Sequence, residues 1–227
     1  MEMVEESREL VDSVICNGGD LSWVPKTTAR NFESSAREMR HCNHRTAGLL
    51  MCLGGYTSDT LLSAPKHAPL TLQLQASGRQ LSLTKNPGES AEHLVLKALL
   101  WALLLPSHPE AKIEADLGLR YTPDVVALGD DSTPIWWGEC GSVKSSKLSD
   151  LASAYPNARF SVAKWGRSDL RGYAATLSGE LALPPGRTAP FELISFPADS
   201  VDRFVSDSGE LSISWDQLEV ISLGKDG

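Results

Sequence analysis

Cysteine is scarce in this sequence. Four occur in 227 residues, at positions 16, 42, 52 and 140. They are too few and too scattered to staple a fold, and a chain of this length buries enough surface to need no staples. They read as reduced thiols, which makes an intracellular, cytoplasmic location the expectation. Long apolar runs are also missing. The most apolar stretch, residues 94–105, contains Lys97 and falls short of the roughly 20 residues that span a bilayer, so it reads as a buried helix. The opening residues Met1-Glu2-Met3-Val4-Glu5-Glu6 have neither the basic nor the apolar region of a secretion signal. Positive charge is in deficit: 21 Lys and Arg face 29 Asp and Glu, a formal charge of -8. A uniformly basic nucleic-acid binder is excluded, and any polyanion contact must come from a local patch. No internal repeat is present.

What remains is globular in composition, with 41% hydrophobic and 22% charged residues. Residues 1–69 stand apart as a polar extension rich in Ser, Asn, Thr and Arg, without sustained periodicity. Within it, His41-Cys42-Asn43-His44 is metal-capable, but zinc would want a second pair at a defined spacing and only Cys16 and Cys52 are on offer. A mobile polar segment is the favoured reading. Residues 70–223 read as one domain and 224–227 as a tail.

In that domain, Leu72, Leu74, Leu81 and Leu83 alternate around Ser77-Gly78, the pattern of a β-hairpin. Ser90 would cap a helix that Pro106 ends. Strands are expected at 112–115, 123–128 and 135–140, with a turn over 129–134. Helices near 145–154 and 167–178 then alternate with strands at 158–164 and 191–196. A helix starts near Asp199, and a closing hairpin is expected from 211–214 and 218–222. The class is α/β (α+β): a central mixed sheet flanked by helices.

Two acids sit inside apolar strands, where acids are usually absent. If Gly129 pairs with Pro134 across a four-residue loop, Asp124 falls directly opposite Glu139. Such neighbours have Cβ atoms about 4.5–5.5 Å apart. Two carboxylates that close need neutralising, and a hard divalent cation such as Mg²⁺ (or Mn²⁺) takes oxygen ligands of this kind. The bland alternative is a pair of solvated acids at strand ends. Lys144 and Lys147 follow at the start of the next helix, where a lysine would orient a water or stabilise developing negative charge; otherwise they are an exposed helix face. Glu92, in the first turn of the long helix, is either a further ligand or a favourable charge at a helix N-terminus.

Charge is segregated as well. Lys144, Lys147, Arg159, Lys164, Arg167 and Arg171 face only Asp150 and Asp169 between residues 144 and 171. That suits a local nucleic-acid face, or an ordinary solvated surface. Trp136 and Trp137 would point to opposite sides of a strand, one into the core and the other free to pack or to stack on a base.

Pro123-Asp124, then Glu139-Cys140-Gly141 after a hairpin turn, then Lys147 in the next helix, resembles the PD-(D/E)xK nuclease superfamily. The order resembles the YaeQ family most. The likeness covers roughly residues 70–223, with the helix from Glu92-His93-Leu94, then Lys147-Leu148-Ser149-Asp150-Leu151, Ala158-Arg159-Phe160-Ser161-Val162 and a closing Leu211-Ser212-Ile213-Ser214-Trp215 strand. It implies a restriction-endonuclease-like core in which Asp124, Glu139 and the Cys140 backbone carbonyl bind Mg²⁺. The lysine expected two residues after the acid is Gly141, a departure that YaeQ-like proteins share, so catalysis would use a displaced lysine, Lys147 or Lys144. Two functions follow as expectations: an Mg²⁺-dependent nuclease, or a non-catalytic protein of the same fold that binds nucleic acid or a protein partner.

Overall fold

The computed structural model describes residues 61–62 and 69–223. Nearly all of the expected N-terminal extension, with Cys16, Cys52 and the His41-Cys42-Asn43-His44 cluster, lies outside the described residues, as does the tail at 224–227.

β1 (Thr71–Ala76) and β2 (Arg79–Thr84) form the expected hairpin as a separate two-stranded sheet. Leu72 pairs with Leu83 and Leu74 with Leu81, which gives the ribbon one apolar side. Ser77 and Gly78 turn it at φ of 49° and 75°. Two consecutive positive φ values match the turn to the twist of the strands.

α1 (Ala91–Leu104) starts where expected: the Ser90 hydroxyl accepts from the His93 N–H at 3.2 Å. Every residue of α1 except Glu92 and His93 is buried, as befits a helix apolar on all sides. Only its N-terminal turn is left to face solvent and solutes.

Six strands make the main sheet, in spatial order: β3 (Lys112–Ile113), β4 (Val125–Leu128), β5 (Pro134–Cys140), β6 (Arg159–Trp165), β7 (Phe191–Phe196) and β8 (Glu219–Leu223). β3, β4 and β5 run antiparallel, β5, β6 and β7 parallel, and β8 returns antiparallel on β7. The parallel steps are bridged by α2 (Ser145–Ala154) and α3 (Leu170–Glu180), as parallel pairing requires. Strand alternation divides the core. Trp136, Cys140, Ala163, Ile194 and Phe196 pack with α1, the hairpin and the short α4 (Ser200–Phe204). Trp137, Phe160, Val162 and Leu193 pack with α2 and α3. The expected mixed sheet with helices on its faces is what forms. No helix among the described residues is long and apolar enough to cross a membrane.

Two details differ from expectation. Residues 211–214 form no strand: Leu211 makes isolated bridge contacts, a 3₁₀ turn covers Trp215–Gln217, and β8 pairs with β7 alone. The Ser214 backbone N–H donates to the Gln217 side chain at 2.9 Å and its hydroxyl lies 2.5 Å from Asp216, so local side-chain bonds bend the chain that alternation alone would extend. The strand at 112–115 shortens to two residues at the sheet edge. Both tryptophans pack in the core, the commoner of the two outcomes expected for them. Trp136 stacks on Trp215 at 5.6 Å and Trp137 on Tyr155 at 5.8 Å, leaving neither face free for a base.

Candidate functional site

Register sets the two acids opposite each other. Val125 pairs with Gly138, Val126 with Trp137 and Ala127 with Trp136, the expected alignment. The turn closes differently, because an irregularity between Ala127 and Leu128 sets Leu128, not Gly129, against Pro134. The offset is absorbed at the loop end, so the alignment toward Asp124 is preserved.

Glu139 lies two residues from Trp137 on the α2 side of β5. The Trp137 Nε1–H donates to Glu139 Oε1 at 2.7 Å. Lys147, in the first turn of α2, donates to Oε2 at 2.7 Å and lies as close to Oε1. The carboxyl is 4% exposed. Burial raises its pKa above the usual carboxylate value, Lys147 and the indole N–H pull it back, and the charge of Asp124 adds to the rise.

Asp124 sits just ahead of β4. Its Oδ2 accepts the Cys140 backbone N–H at 2.7 Å, and its Oδ1 is 3.3 Å from His93 Nε2. The Gly141 N–H bonds to Ala163 on the β6 side. By alternation, the backbone groups of Cys140 face the opposite way, toward Asp124. His93 has its pKa raised, first by the hydrogen bond to Asp124, against the opposing effect of burial. The Cys140 thiol is fully buried and burial pushes it well up, so it stays protonated. Behind this layer Lys97 is buried in α1 and gripped by Glu89 at 2.5 Å and Glu114 at 2.8 Å. Burial pulls its pKa down, and the two carboxylates more than offset that.

The remaining candidates separate. Lys144 is exposed at the N-cap position of α2. Glu92 has no hydrogen bond or ion pair to Asp124 or Glu139 among the described residues; it lines a pocket on the other side of His93. The six cations do not make one face. Arg159 is clamped on Glu192 by two bonds of 2.7 and 2.9 Å and lies 4.0 Å from the Trp136 ring centroid. It begins β6, whereas Lys164 nearly ends it, about 16 Å away at the usual rise per residue. Lys164 and Arg167 instead share the Tyr173 ring, and Arg171 is exposed on α3.

Reasoning from residue order missed His93, Trp137 and the burial of Lys164. His93 occupies the third helix position after Ser90, where a capping box would carry Glu; that departure was its one visible signal. Trp137 was legible as a core or base-stacking residue, not as a donor to the acid two positions on.

Asp124 and Glu139 supply carboxylate oxygens and Cys140 presents its carbonyl to the same side, which are the hard donors Mg²⁺ takes. These fit in kind. In number the set is small: among the described residues no group of three or more His, Cys, Asp and Glu is placed to hold a metal, and Lys147 already neutralises Glu139.

Fold and site together define an α+β protein whose mixed six-stranded sheet carries a charge-compensated acid pair at the strand ends. The chain is similar in fold to two solved structures. One is the YaeQ protein from Pseudomonas syringae, 14% identical over 56% of this chain and 71% of that one, with a TM-score of 0.41. The other is the YaeQ protein from Xanthomonas axonopodis pv. citri, 16% identical over 70% of this chain and 90% of that one, with a TM-score of 0.42. At such identity the likeness concerns fold alone. No family model and no curated protein matches the chain.

Proposed function

We propose that the protein hydrolyses phosphodiester bonds of nucleic acid, using Mg²⁺ or Mn²⁺ held by Asp124, Glu139 and the Cys140 carbonyl. The supporting observation is that register sets Asp124 and Glu139 opposite each other at the β4–β5 ends, near enough for the charge of Asp124 to act on Glu139, with Lys147 directly on Glu139. A metal there would polarise the scissile phosphate and lower the pKa of a bound water. The chain's own residues divide the remaining work. The Lys147 ammonium, leaving Glu139, would neutralise charge on the phosphoryl oxygens. His93 Nε2 would hold the Asp124 carboxylate in orientation. Glu92 and Lys144 would act from farther out. Nucleic acid would lie across the carboxyl ends of β5 and β6, where ligands of open α/β sheets commonly sit, with Lys144, Lys147, Lys164, Arg167 and Arg171 near it; Arg159 is committed to Glu192.

The test is a cleavage assay on single- and double-stranded DNA and RNA with Mg²⁺ or Mn²⁺, an EDTA control, and the variants Asp124→Asn and Glu139→Gln. The proposal expects metal-dependent product that both variants lose. Full activity in both variants, or no product together with no metal binding by calorimetry, would overturn it.

A second reading has its own observation. Lys147 and His93 already compensate the two acids without a metal, the arrangement of a fold kept for binding alone. It predicts salt-sensitive binding of nucleic acid, or capture of a protein partner, indifferent to Mg²⁺ and without product.

A further inference from the structure

Next to the acid pair an open pocket of about 440 Å³ lies between the N-terminal turn of α1, the turn after β5 and the end of β6. Two cations line it. Lys164 is 7% exposed. Its ammonium donates to the Gly141 carbonyl and lies 4.5 Å from the Tyr173 ring centroid. The Arg167 guanidinium lies 4.3 Å from the same ring, its Nε–H reaching the Asp169 carbonyl at 3.3 Å. Among the described residues, neither cation has a carboxylate within ion-pair distance.

Lys164 differs from Lys97 in what surrounds its charge. Lys97 is also buried, and two carboxylates clamp it. A charge withdrawn from water needs compensation. Among the described residues, Lys164 has a carbonyl and a ring face as its partners. An ammonium has three N–H groups, so donors remain beside the pocket. The wall carries one carboxylate, Glu92, against these two cations. Gly141, also on the wall, holds a left-handed backbone with φ +72°, and a Cβ there would make ordinary contact with His93 Nδ1 at 3.5 Å.

We propose that this pocket binds a phosphate group, with Lys164 and Arg167 as the charged contacts and the Ser142 hydroxyl as a neutral donor. A dianion balances the two unmatched cations, and a guanidinium fork suits its oxygens. The phosphate arrives either as a terminal phosphoryl group or as a backbone phosphate of a nucleic-acid strand. Neither metal nor the acid pair is needed, so the site stands whether or not the protein hydrolyses anything.

The test uses the full chain in EDTA. Inorganic phosphate is titrated at constant ionic strength up to about 10 mM, read by calorimetry and by the shift in Tm. Lys164→Met and Arg167→Gln are each expected to weaken binding about tenfold or more. Without phosphate, Lys164→Met is expected to unfold at the same temperature as the parent or higher, because the charge removed had no counter-ion. Arg167 is exposed, so Arg167→Gln reads the site even where Lys164→Met fails to fold. Glu139→Gln, whose carboxyl is bonded to Lys147 and Trp137 and does not line the pocket, is expected to bind phosphate like the parent, which separates this site from hydrolysis. A matched pair of oligonucleotides, with and without a 5′-phosphate, identifies the source. Preference for the phosphorylated strand, lost in Arg167→Gln, assigns a terminal phosphate; equal binding of both strands, lost in the same variant, assigns the backbone. No binding by the parent, or parental affinity in Arg167→Gln, would overturn the proposal.

Discussion

Lys147 and the Trp137 N–H oppose the rise that burial imposes on the Glu139 pKa. Replacing Lys147 with Met would strand a buried carboxylate. We expect a loss of about 1–3 kcal/mol at pH 7 in urea unfolding. Because the Glu139 pKa is already raised by burial, the deficit is expected to shrink in acid, where the carboxyl protonates, and to grow as pH rises through its folded value. His93 gives a second signature. Its pKa is raised chiefly by the hydrogen bond to Asp124. The folded state therefore binds that proton more tightly than the unfolded one. The resulting stability is fully present below the unfolded value, about 6.5, and is lost as pH rises through the folded value. His93→Gln is expected to flatten this part of the stability curve, measured by denaturant unfolding across neutral pH; an unchanged slope would exclude His93 as its source. At this scale the acids were legible because charge inside an apolar strand is conspicuous. His93 and Lys164 were not, since their roles depend on contacts 31 and 23 residues away and no local pattern encodes those.

Elements were easier to read where local chemistry and packing agree. The first hairpin has alternating leucines and a turn with the residues it needs. The β4–β5 alignment also came through, although its loop closes one residue earlier on one strand than a plain count suggests, because the shift falls at the turn and leaves the far end unmoved. The stretch at 211–214 misled because Leu211 and Ile213 alternate like a strand while the chain touches β1 only in an isolated bridge at Glu210 and the Leu211 N–H bond to Gln75; Ser214 and Gln217 then turn the chain. Close contact between β5 and α1 yields a prediction. A Cβ on Gly138 would lie 2.7 Å from Leu100 Cδ2 and 3.3 Å from Val125 Cβ. Gly138→Ala is therefore expected to cost about 1–3 kcal/mol by overpacking, seen as a lower Tm. Parental stability would show that α1 moves freely against the strand.

Across the whole molecule, polar chemistry collects at one end of the sheet. The carboxyl ends of β5 and β6, the start of α1 and the start of α2 bring together Asp124, Glu139, Lys147, His93 and Lys164. The fold class was legible from the alternation of strands and helices; the gathering of these side chains at one rim was not, because it depends on strand order. The hairpin of β1 and β2 is tied to the far side of the sequence. The Gln75 N–H donates to the Gly209 carbonyl at 2.9 Å, and the Leu211 N–H to the Gln75 carbonyl at 2.7 Å. Gln75→Pro removes the first of these bonds. It is expected to cost about 1 kcal/mol and to speed hydrogen exchange at Leu211; unaltered exchange would mean that the bond contributes nothing to holding this segment. The same clasp sets an order of events during synthesis. The segment that completes it is made more than 130 residues after Gln75, which at about 5–20 residues per second leaves the hairpin waiting for roughly 7–27 s. Throughout that interval its apolar side has no late segment to lock against, and it is then that a nascent chain would most need shielding from its neighbours.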